Sequence, residues 1–537
     1  MQTFKASIRM GYDTQCSTGG AISATMSGHF LTAGELAATL PDASVTGDPL
    51  IPITDVSFDS RTVRPGGLFV AIRGGYTDGH LFLAAARAAG AVAALVEPDT
   101  PIELLEGYRA IVRARNTRAA LARVATRWFD NPCRALTLIG VTGTDGKTTT
   151  CHLIEALLRE RGLVSGIVST VAIRAGVREL QRTSGRTTPE SLDVQHYLAR
   201  MRDDRVDAAV LETTSHGLSM HRVDGCLFDI GVVTNITHEH LDFHGTLERY
   251  RDAKAGLLRR VAAARPAGKR GVCVLNLDDE GTRAIAEAAD GAETLWYSAT
   301  GDRNAAVWAD GVETRADGSR FAPRTPAGEV IVDLRLPGSW NIANALAAAS
   351  VGHALGMEPE QIGAGIGALG AVPGRMQRVD AGQPFTVIVD YAHTPDALRM
   401  ALGEARKLTC GRVLVLIGAA GEADIAKRPT LGAVAQALSD FAVFASDDPR
   451  FEDPQAIIAA IAAGAIQAGG KDGRDFLCVE DRRAAIVELI DHARPGDVVV
   501  LAGKGHERSQ LYGAVACPWD DVAVARDAIE AAVGRPR

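Results

Sequence analysis

Cysteine is sparse in this chain: eight among 537 residues, with no Cys-x-x-Cys pair. That excludes a disulfide framework and a cysteine-built zinc site, and it points to a reduced, cytosolic setting. An excess of basic charge is also missing. Lys and Arg total 57 against 65 Asp and Glu, a net charge of −8, and the sequence pI is near 5.9. A general affinity for nucleic acid or an anionic membrane is therefore excluded, one local basic site aside. No apolar run is long enough for a membrane span, since the best stretch, Leu81 to Val96, is interrupted by Arg87 and Gly90. Residues 1–30 carry Lys5 and Arg9 but no continuous apolar core, so they read as a loose Gly-, Ser- and Thr-rich extension and not as a signal peptide. Met10 and Met26 offer alternative starts. Short repeats and low-complexity tracts are missing too, alanine richness aside.

What is there is globular. Hydrophobic residues make up 46% and charged residues 23%, which excludes a mainly disordered chain. At about 150 residues per domain the length suggests three or four domains. Up to Asn131-Pro132, apolar runs around Val56 and at Leu68–Ile72 and Ala91–Val96 alternate with helical patterns at Leu31–Leu40 and Leu81–Ala89. A second unit starts with the buried-strand run Leu136–Val141. Similar runs follow at Ala208–Leu211, Ile230–Thr234 and Val272–Leu275, with an Ala-rich helix at Asn341–His353. After the hinge-like Ala371-Val372-Pro373-Gly374, strand runs recur at Phe385–Val389, Val413–Ile417, Phe441–Ala445 and Val498–Ala502. The expected organisation is an extension over 1–30, a small N-terminal α/β domain over 31–132, a central domain over 133–372 and a C-terminal α/β domain over 373–537.

The most specific local signal is Thr142-Gly143-Thr144-Asp145-Gly146-Lys147-Thr148-Thr149-Thr150, placed after a strand and before an expected helix, Cys151 to Arg161. Glycines at 140, 143 and 146 let backbone N–H groups turn around phosphate oxygens, and the helix N-terminus adds positive potential. Lys147 can neutralise β and γ phosphates, and the Thr148 hydroxyl is placed to ligate Mg²⁺. Val141 stands where the usual eight-residue pattern wants glycine, so the loop is a variant.

Two further strands run into Glu212-Thr213-Thr214-Ser215-His216 and into Asn235-Ile236-Thr237-His238-Glu239-His240. Parallel sheets place ligands at the carboxyl ends of their strands, so Glu212 and His240 are expected near the phosphate loop as Mg²⁺ ligands. Taken singly, a Glu or His at a strand end is more often a cap or a solvated loop residue. His238 and His240 lack the partners that a zinc site needs.

Taken together these segments resemble the bacterial Mur ligases, from about residue 31 to the C-terminus. The resemblance rests on Asp59-Ser60-Arg61 with Gly67–Ala71, the loop Gly143–Thr149, Thr187-Thr188-Pro189, Ser215–Leu218 and His240-Leu241-Asp242 with His244-Gly245. It continues through Asn341–Leu346, Asp390–Asp396, Lys427-Arg428-Pro429, Asp447-Asp448-Pro449-Arg450 and Gly503-Lys504-Gly505-His506-Glu507. It implies three α/β domains: an N-terminal UDP-substrate domain, a central P-loop ATPase-like domain with a mainly parallel sheet, and a C-terminal Rossmann-like domain for the incoming amino acid.

The resemblance also implies an activity. ATP would phosphorylate the γ-carboxylate of UDP-N-acetylmuramoyl-L-alanyl-D-glutamate, and a diamino acid would displace phosphate from the acyl phosphate, in cytoplasmic peptidoglycan precursor synthesis. Catalysis would be mainly positioning and electrostatics. Gly143, Thr144, Asp145, Gly146, Lys147, Thr148 and Thr149 would hold ATP, with Asn344, Arg375 and Asp390 approaching it. Thr148 and Glu212 would hold one Mg²⁺. His240 and Lys254, the latter as a CO₂-derived carbamate (N6-carboxylysine), would hold a second. Spacing alone fits an ordinary surface-helix lysine at 254. Lys147, Glu212, His240 and Lys254 form the implied catalytic set. Ser60, Thr187, Thr188, Thr214 and Arg222 match positions that hold the UDP-muramoyl peptide. The enzyme would act as a monomer on that dipeptide and a free diamino acid, without nucleic acid or stable membrane insertion, and its C-terminal domain would close on the central one.

Arg428, Asp447, Asp448, Pro449, Arg450, Gly503 and Glu507 match the positions that recognise the amino acid. Enzymes using meso-diaminopimelate read Asp-Asn-Pro-Arg there, the Arg binding the distal carboxylate. Arg450 is retained, which favours meso-diaminopimelate, but Asp448 replaces Asn and favours a more cationic amino acid such as L-lysine. Arg186 and Met220 also depart from the family pattern and leave room for a paralogue on a related peptide. A folate-polyglutamate-type ligase shares the phosphate loop but not the motifs at 447–450 and 503–507. A nucleotide-dependent binding protein would not need Lys147, Glu212, His240 and Lys254 together.

Overall fold

The computed structural model describes residues 31–533, except 75, 76, 316 and 423 and the side chain of Asp242. The extension expected over 1–30 lies outside the described residues. The chain divides into two compact units, one ending at Asp130 and one starting at Asn131. No helix among the described residues is long and apolar enough to cross a membrane.

The first unit is built on a five-stranded sheet ordered 44–47, 110–113, 93–96, 67–70, 55–57. The last four are parallel, and Ser44–Gly47 lies antiparallel at one edge. The continuous apolar runs Gly67–Val70 and Ala93–Val96 are buried at every position, as parallel strands covered on both faces must be. Their side chains pack with Leu83, Ala86 and Tyr108.

The second unit holds two large sheets. The first has twelve strands. Its parallel core runs Ser165–Val168, Ala208–Glu212, Thr137–Thr142, Ile230–Val233, Val272–Asn276, Glu293–Ser298. Strand alternation divides the core between the two faces. Ile139 and Val141 pack with the phosphate-loop helix (Lys147–Glu160) and the helix Trp340–Ala354 on one side. Leu138 and Leu211 pack with Leu257 and Leu258 on the other. Each fully buried Leu or Ile contributes roughly 1.5–3 kcal/mol of transfer free energy, so these faces and not local propensity hold the sheet. The antiparallel pair Val307–Arg315 and Gly318–Thr325 extends one edge.

The other sheet has six strands, ordered 377–379, 386–390, 498–502, 413–417, 441–445, 476–479. All but the antiparallel first strand are parallel, a doubly wound arrangement. Buried runs such as Val413–Ile417 and Val498–Ala502 have no exposed position. The two sheets are joined through Val372–Met376, where Gly374 (φ +66°) cannot carry a side chain: a Cβ would lie 2.3 Å from the backbone N of His506.

Candidate active site

Thr137–Thr142 lies between Ala208–Glu212 and Ile230–Val233, and the chain leaves it toward one side of the sheet and returns on the other. The carboxyl ends of these three strands therefore open into one crevice. A cavity of about 850 Å³ occupies it, lined by Lys147, Thr148, Glu212, His240, Asn344 and Arg375 together with Asp390 and Tyr391 of the following sheet.

The phosphate loop differs from expectation in three respects. Its helix starts at Lys147, not Cys151, because Gly146 (φ +78°) turns the chain directly into the first helical turn. Gly140 is not part of the loop. It lies inside the strand, where a Cβ would come within 2.8 Å of both Leu257 and Phe228, so close helix packing demands the glycine. The N–H groups of Thr144 and Asp145 turn to Asn235, at 2.8 and 2.9 Å, and not toward the cavity. Positive potential at this end instead comes from the unpaired N–H groups of the first helical turn, Lys147 to Thr149. Gly143 (φ +152°) passes so close to Thr234 that a Cβ would lie 1.8 Å from its Oγ1. Lys147 folds back over the loop, Nζ donating to the carbonyls of Gly143 (3.0 Å) and Thr144 (2.6 Å).

Glu212, 1% exposed, ends its strand under this loop. Thr148 Oγ1 donates to its Oε1 at 3.0 Å, and Thr170 donates both N–H (2.9 Å) and Oγ1 (3.0 Å) to its Oε2. Thr170 was not anticipated; a lone threonine between strands carries no sequence signal. Arg375 reaches Thr148 Oγ1 at 3.4 Å with its guanidinium 5.2 Å from the Tyr391 ring. Asn344 donates to Asn341 (2.9 Å) and accepts from Thr150 (3.3 Å), and its Oδ1 faces Gly146. Asp390 accepts from the N–H groups of Met376 (2.7 Å) and Ala392 (2.9 Å), fastening the linker. Burial pushes its carboxyl up, against the lowering pull of Arg375.

Lys254 is no surface lysine. It is 1% exposed on the helix Leu247–Ala264, donates to the Gly143 carbonyl and lies 4.5 Å from the Tyr250 ring centroid. Burial first, and the charge of Lys147 second, hold its ammonium well below the usual lysine range. Tyr250 links this lysine to the rim: its hydroxyl lies 3.0 Å from Thr144 Oγ1, and its ring is 6.3 Å from that of His240.

The expected peptide-binding residues of this unit also come together. Thr187 Oγ1 lies 3.0 Å from Thr170 Oγ1, whose own proton goes to Glu212, and Thr188 Oγ1 donates to the Glu212 carbonyl at 2.8 Å. Thr188 and Thr214 hydroxyls lie 3.1 Å apart, and Arg222 donates to the Thr188 carbonyl at 3.1 Å. Arg186 pairs with Glu190 at 2.5 Å, and the Met220 sulfur accepts from Arg222 at 3.2 Å, so both departing residues lie beside this group. Ser60 lies in the first compact unit, in the turn after Asp55–Ser57.

At the end of Phe441–Ala445, Asp447 and Asp448 face Lys504 and Glu507, from the loop after Val498–Ala502. Gly503 (φ +107°) brings that loop close enough that a Cβ would lie 2.9 Å from Asp447 Oδ2. Arg428, by contrast, is buried in a two-pronged pair with Glu452 at 2.9 and 3.0 Å, next to the Pro449 turn, where the Glu452 N–H bonds the Pro449 carbonyl.

Three family models match the chain: the Mur ligase family catalytic domain over residues 52–136, the Mur ligase middle domain over 141–352, and the Mur ligase glutamate ligase domain over 374–505. A protein of Roseiflexus sp. (strain RS-1) named UDP-N-acetylmuramyl-tripeptide synthetase is 44% identical over 489 residues, 89% of this chain and 94% of that protein. A Streptomyces avermitilis protein named UDP-N-acetylmuramoyl-L-alanyl-D-glutamate--2,6-diaminopimelate ligase is 40% identical over 505 residues, 94% of this chain and 96% of that protein. A solved structure described by that same ligase name superimposes with a TM-score of 0.63 at 29% identity, over 94% of this chain and all of that one.

Proposed function

The chain belongs to the Mur ligase family, and from that premise we propose that it uses ATP to join meso-diaminopimelate to UDP-N-acetylmuramoyl-L-alanyl-D-glutamate. The observation that carries this is the buried Thr148–Glu212 pair beneath the Lys147 loop, in a cavity that also receives Arg375 and Asp390. The name of the Streptomyces avermitilis relative supports the same substrates, and that of the Roseiflexus relative a tripeptide product.

The donor set suits a hard divalent cation. Glu212 is a carboxylate oxygen ligand buried among hydroxyls and an N–H that offset its charge. Lys254, as an ammonium, does not suit a cation; its suppressed basicity leaves a nucleophilic amine able to take up CO₂ as an anionic carbamate. Thr148 and Glu212 would hold one Mg²⁺, and His240 with carbamylated Lys254 a second. Bound there, the metal supplies charge neutralisation on the phosphoryl oxygens.

The protein's own work is positioning. Lys147 and the first-turn N–H groups hold the β and γ phosphates, and Arg375 brings a second positive charge from the linker. A γ-carboxylate oxygen of the D-glutamyl residue attacks the γ-phosphorus and ADP leaves. The amine then attacks the carbonyl carbon, loses a proton, and expels phosphate that retains the carboxylate oxygen. Thr187, Thr188, Thr214 and Arg222 would present the peptide, with Ser60 on the uridine-diphosphate portion. Arg450 would take the distal carboxylate of the incoming amino acid, and Glu507 and Asp447 its distal ammonium.

The test is phosphate release measured with each substrate omitted in turn. Release that needs ATP, UDP-muramoyl dipeptide and meso-diaminopimelate together is expected. Release without either acceptor, or equal turnover with L-lysine, would refute the assignment.

A further inference from the structure

We propose that Asp448 and Lys504 are a coupled pair of positioning residues, Lys504 taking up the charge of Asp448 and Asp448 fixing the loop that carries Arg450. This deepens the ligase reading above and rests on it. The question it answers is why a chain that keeps Arg450 has an aspartate two residues before it.

Lys504 has no exposed side-chain surface. Its Nζ donates to Asp447 Oδ1 at 3.1 Å, Asp448 Oδ1 at 2.7 Å and Glu507 Oε2 at 2.7 Å. An ammonium has three donors, so all are committed and none remains for a substrate. The loops it ties together follow Phe441–Ala445 and Val498–Ala502, which are separated in the sheet by Val413–Ile417. Asp447, Asp448 and Glu507 lie close enough to suggest a cation site, but the cation at their centre is Lys504 itself.

Asp448 Oδ1 takes a second donor, the N–H of Leu511, at 3.0 Å. Leu511 belongs to the hairpin Ser509–Tyr512 and Val515–Pro518. Its carbonyl accepts the Arg450 N–H at 3.0 Å, and the Arg450 carbonyl accepts the Gly513 N–H at 2.7 Å. Arg450 is thereby held at φ +53°, a conformation that a non-glycine residue adopts only when its surroundings enforce it. A continuous path runs from Lys504 through Asp448 and Leu511 to Arg450. The Asp448 Oδ1 that bears the extra charge is engaged by Lys504 and by the Leu511 N–H and is not offered to the amino acid. Discrimination for a distal carboxylate therefore stays with Arg450.

The experiment uses the full-length enzyme, with kcat and KM measured for meso-diaminopimelate and for L-lysine at saturating ATP and UDP-muramoyl dipeptide. Asp448→Asn is expected to raise both amino-acid KM values by a common factor of about ten, keeping the ratio of kcat/KM values within about threefold of wild type. Lys504→Met leaves three carboxylates, those of the buried Asp447 and the partly exposed Asp448 and Glu507, facing one another without a cation and is expected to raise KM about a hundredfold, with the KM values for ATP and the dipeptide unchanged. The double variant should recover about tenfold over Lys504→Met, because one uncompensated charge is gone. A selectivity ratio that moves more than about tenfold in Asp448→Asn would mean that the substrate reads Asp448 directly, and would overturn the proposal. Strictly additive effects would overturn the coupling. If Lys504→Met fails to fold, the Asp448→Asn ratio still decides. A wild-type enzyme inactive with every amine would instead remove the ligase reading, an outcome distinct from the others.

Discussion

Thr148 donates its hydroxyl to Glu212 at 3.0 Å, joining the first turn of the phosphate-loop helix to the end of a strand 64 residues later. Both groups are buried, so the contact places an oxygen-rich pocket directly below the loop that carries Lys147. Glu212→Gln keeps the shape and two of the hydrogen bonds but removes the charge. It is expected to lower kcat about a hundredfold to a thousandfold, with a melting temperature within about 3 °C of wild type. Steady-state kinetics beside a thermal melt checks this.

Lys254→Ala removes a buried amine that donates to the Gly143 carbonyl of the phosphate loop. Loss of ligation with the fold retained is expected, together with partial recovery on adding formate or acetate, which can stand in for the carbamate. Rigorous depletion of CO₂ should slow the wild-type enzyme and leave the variant unaffected. Wild-type turnover by Lys254→Ala would refute the carbamate role.

Gly146 and Gly162 have nearly the same backbone, φ +78° and +80°, but different surroundings: a Cβ on Gly146 would lie 2.2 Å from Asn344 Oδ1, whereas nothing lies within 4 Å at Gly162. Gly162→Ala should cost about 1 kcal/mol through backbone strain alone and leave ATP binding intact. Gly146→Ala should cost more and weaken ATP binding at least about tenfold, since Asn344 must move. Calorimetric titration of ATP into both variants separates the two effects.

Burial first, and nearby arginines second, hold His152 at about 3 and His506 at about 4. An unfolded chain takes up protons at both histidines near pH 6.5, while the folded chain stays neutral until much lower pH. Stability from these groups is therefore fully present above about pH 6.5 and is lost as pH falls toward 4, by roughly 2 kcal/mol per histidine at pH 5. The urea midpoint should fall between pH 7.5 and 5. A constant midpoint would contradict neutral burial.

The fold was legible where burial dictates composition. Val413–Ile417, Phe441–Ala445 and Val498–Ala502 are strands over the residues that their unbroken apolar runs mark, because both faces are covered. The pair Val307–Arg315 and Gly318–Thr325 was not seen, since residues 311–315 are exposed and neither strand carries a long unbroken apolar run. In the site, residues brought together by one strand end, such as Glu212, could be placed from sequence. Thr170 could not, because only the assembled sheet brings it to Glu212. Lys504 lay within a quoted motif, yet its threefold engagement depends on two loops meeting across an intervening strand. Gly140 shows the opposite error: a glycine beside a phosphate loop that is there for Leu257 and Phe228.

The central claim is that one cavity activates a carboxylate with ATP before the amine arrives. UDP-muramoyl dipeptide labelled with ¹⁸O in the D-glutamyl γ-carboxylate tests it most directly, with the released phosphate examined by mass spectrometry. One labelled oxygen per phosphate is the result this account requires. Phosphate free of label, formed while the peptide bond is made, would contradict it.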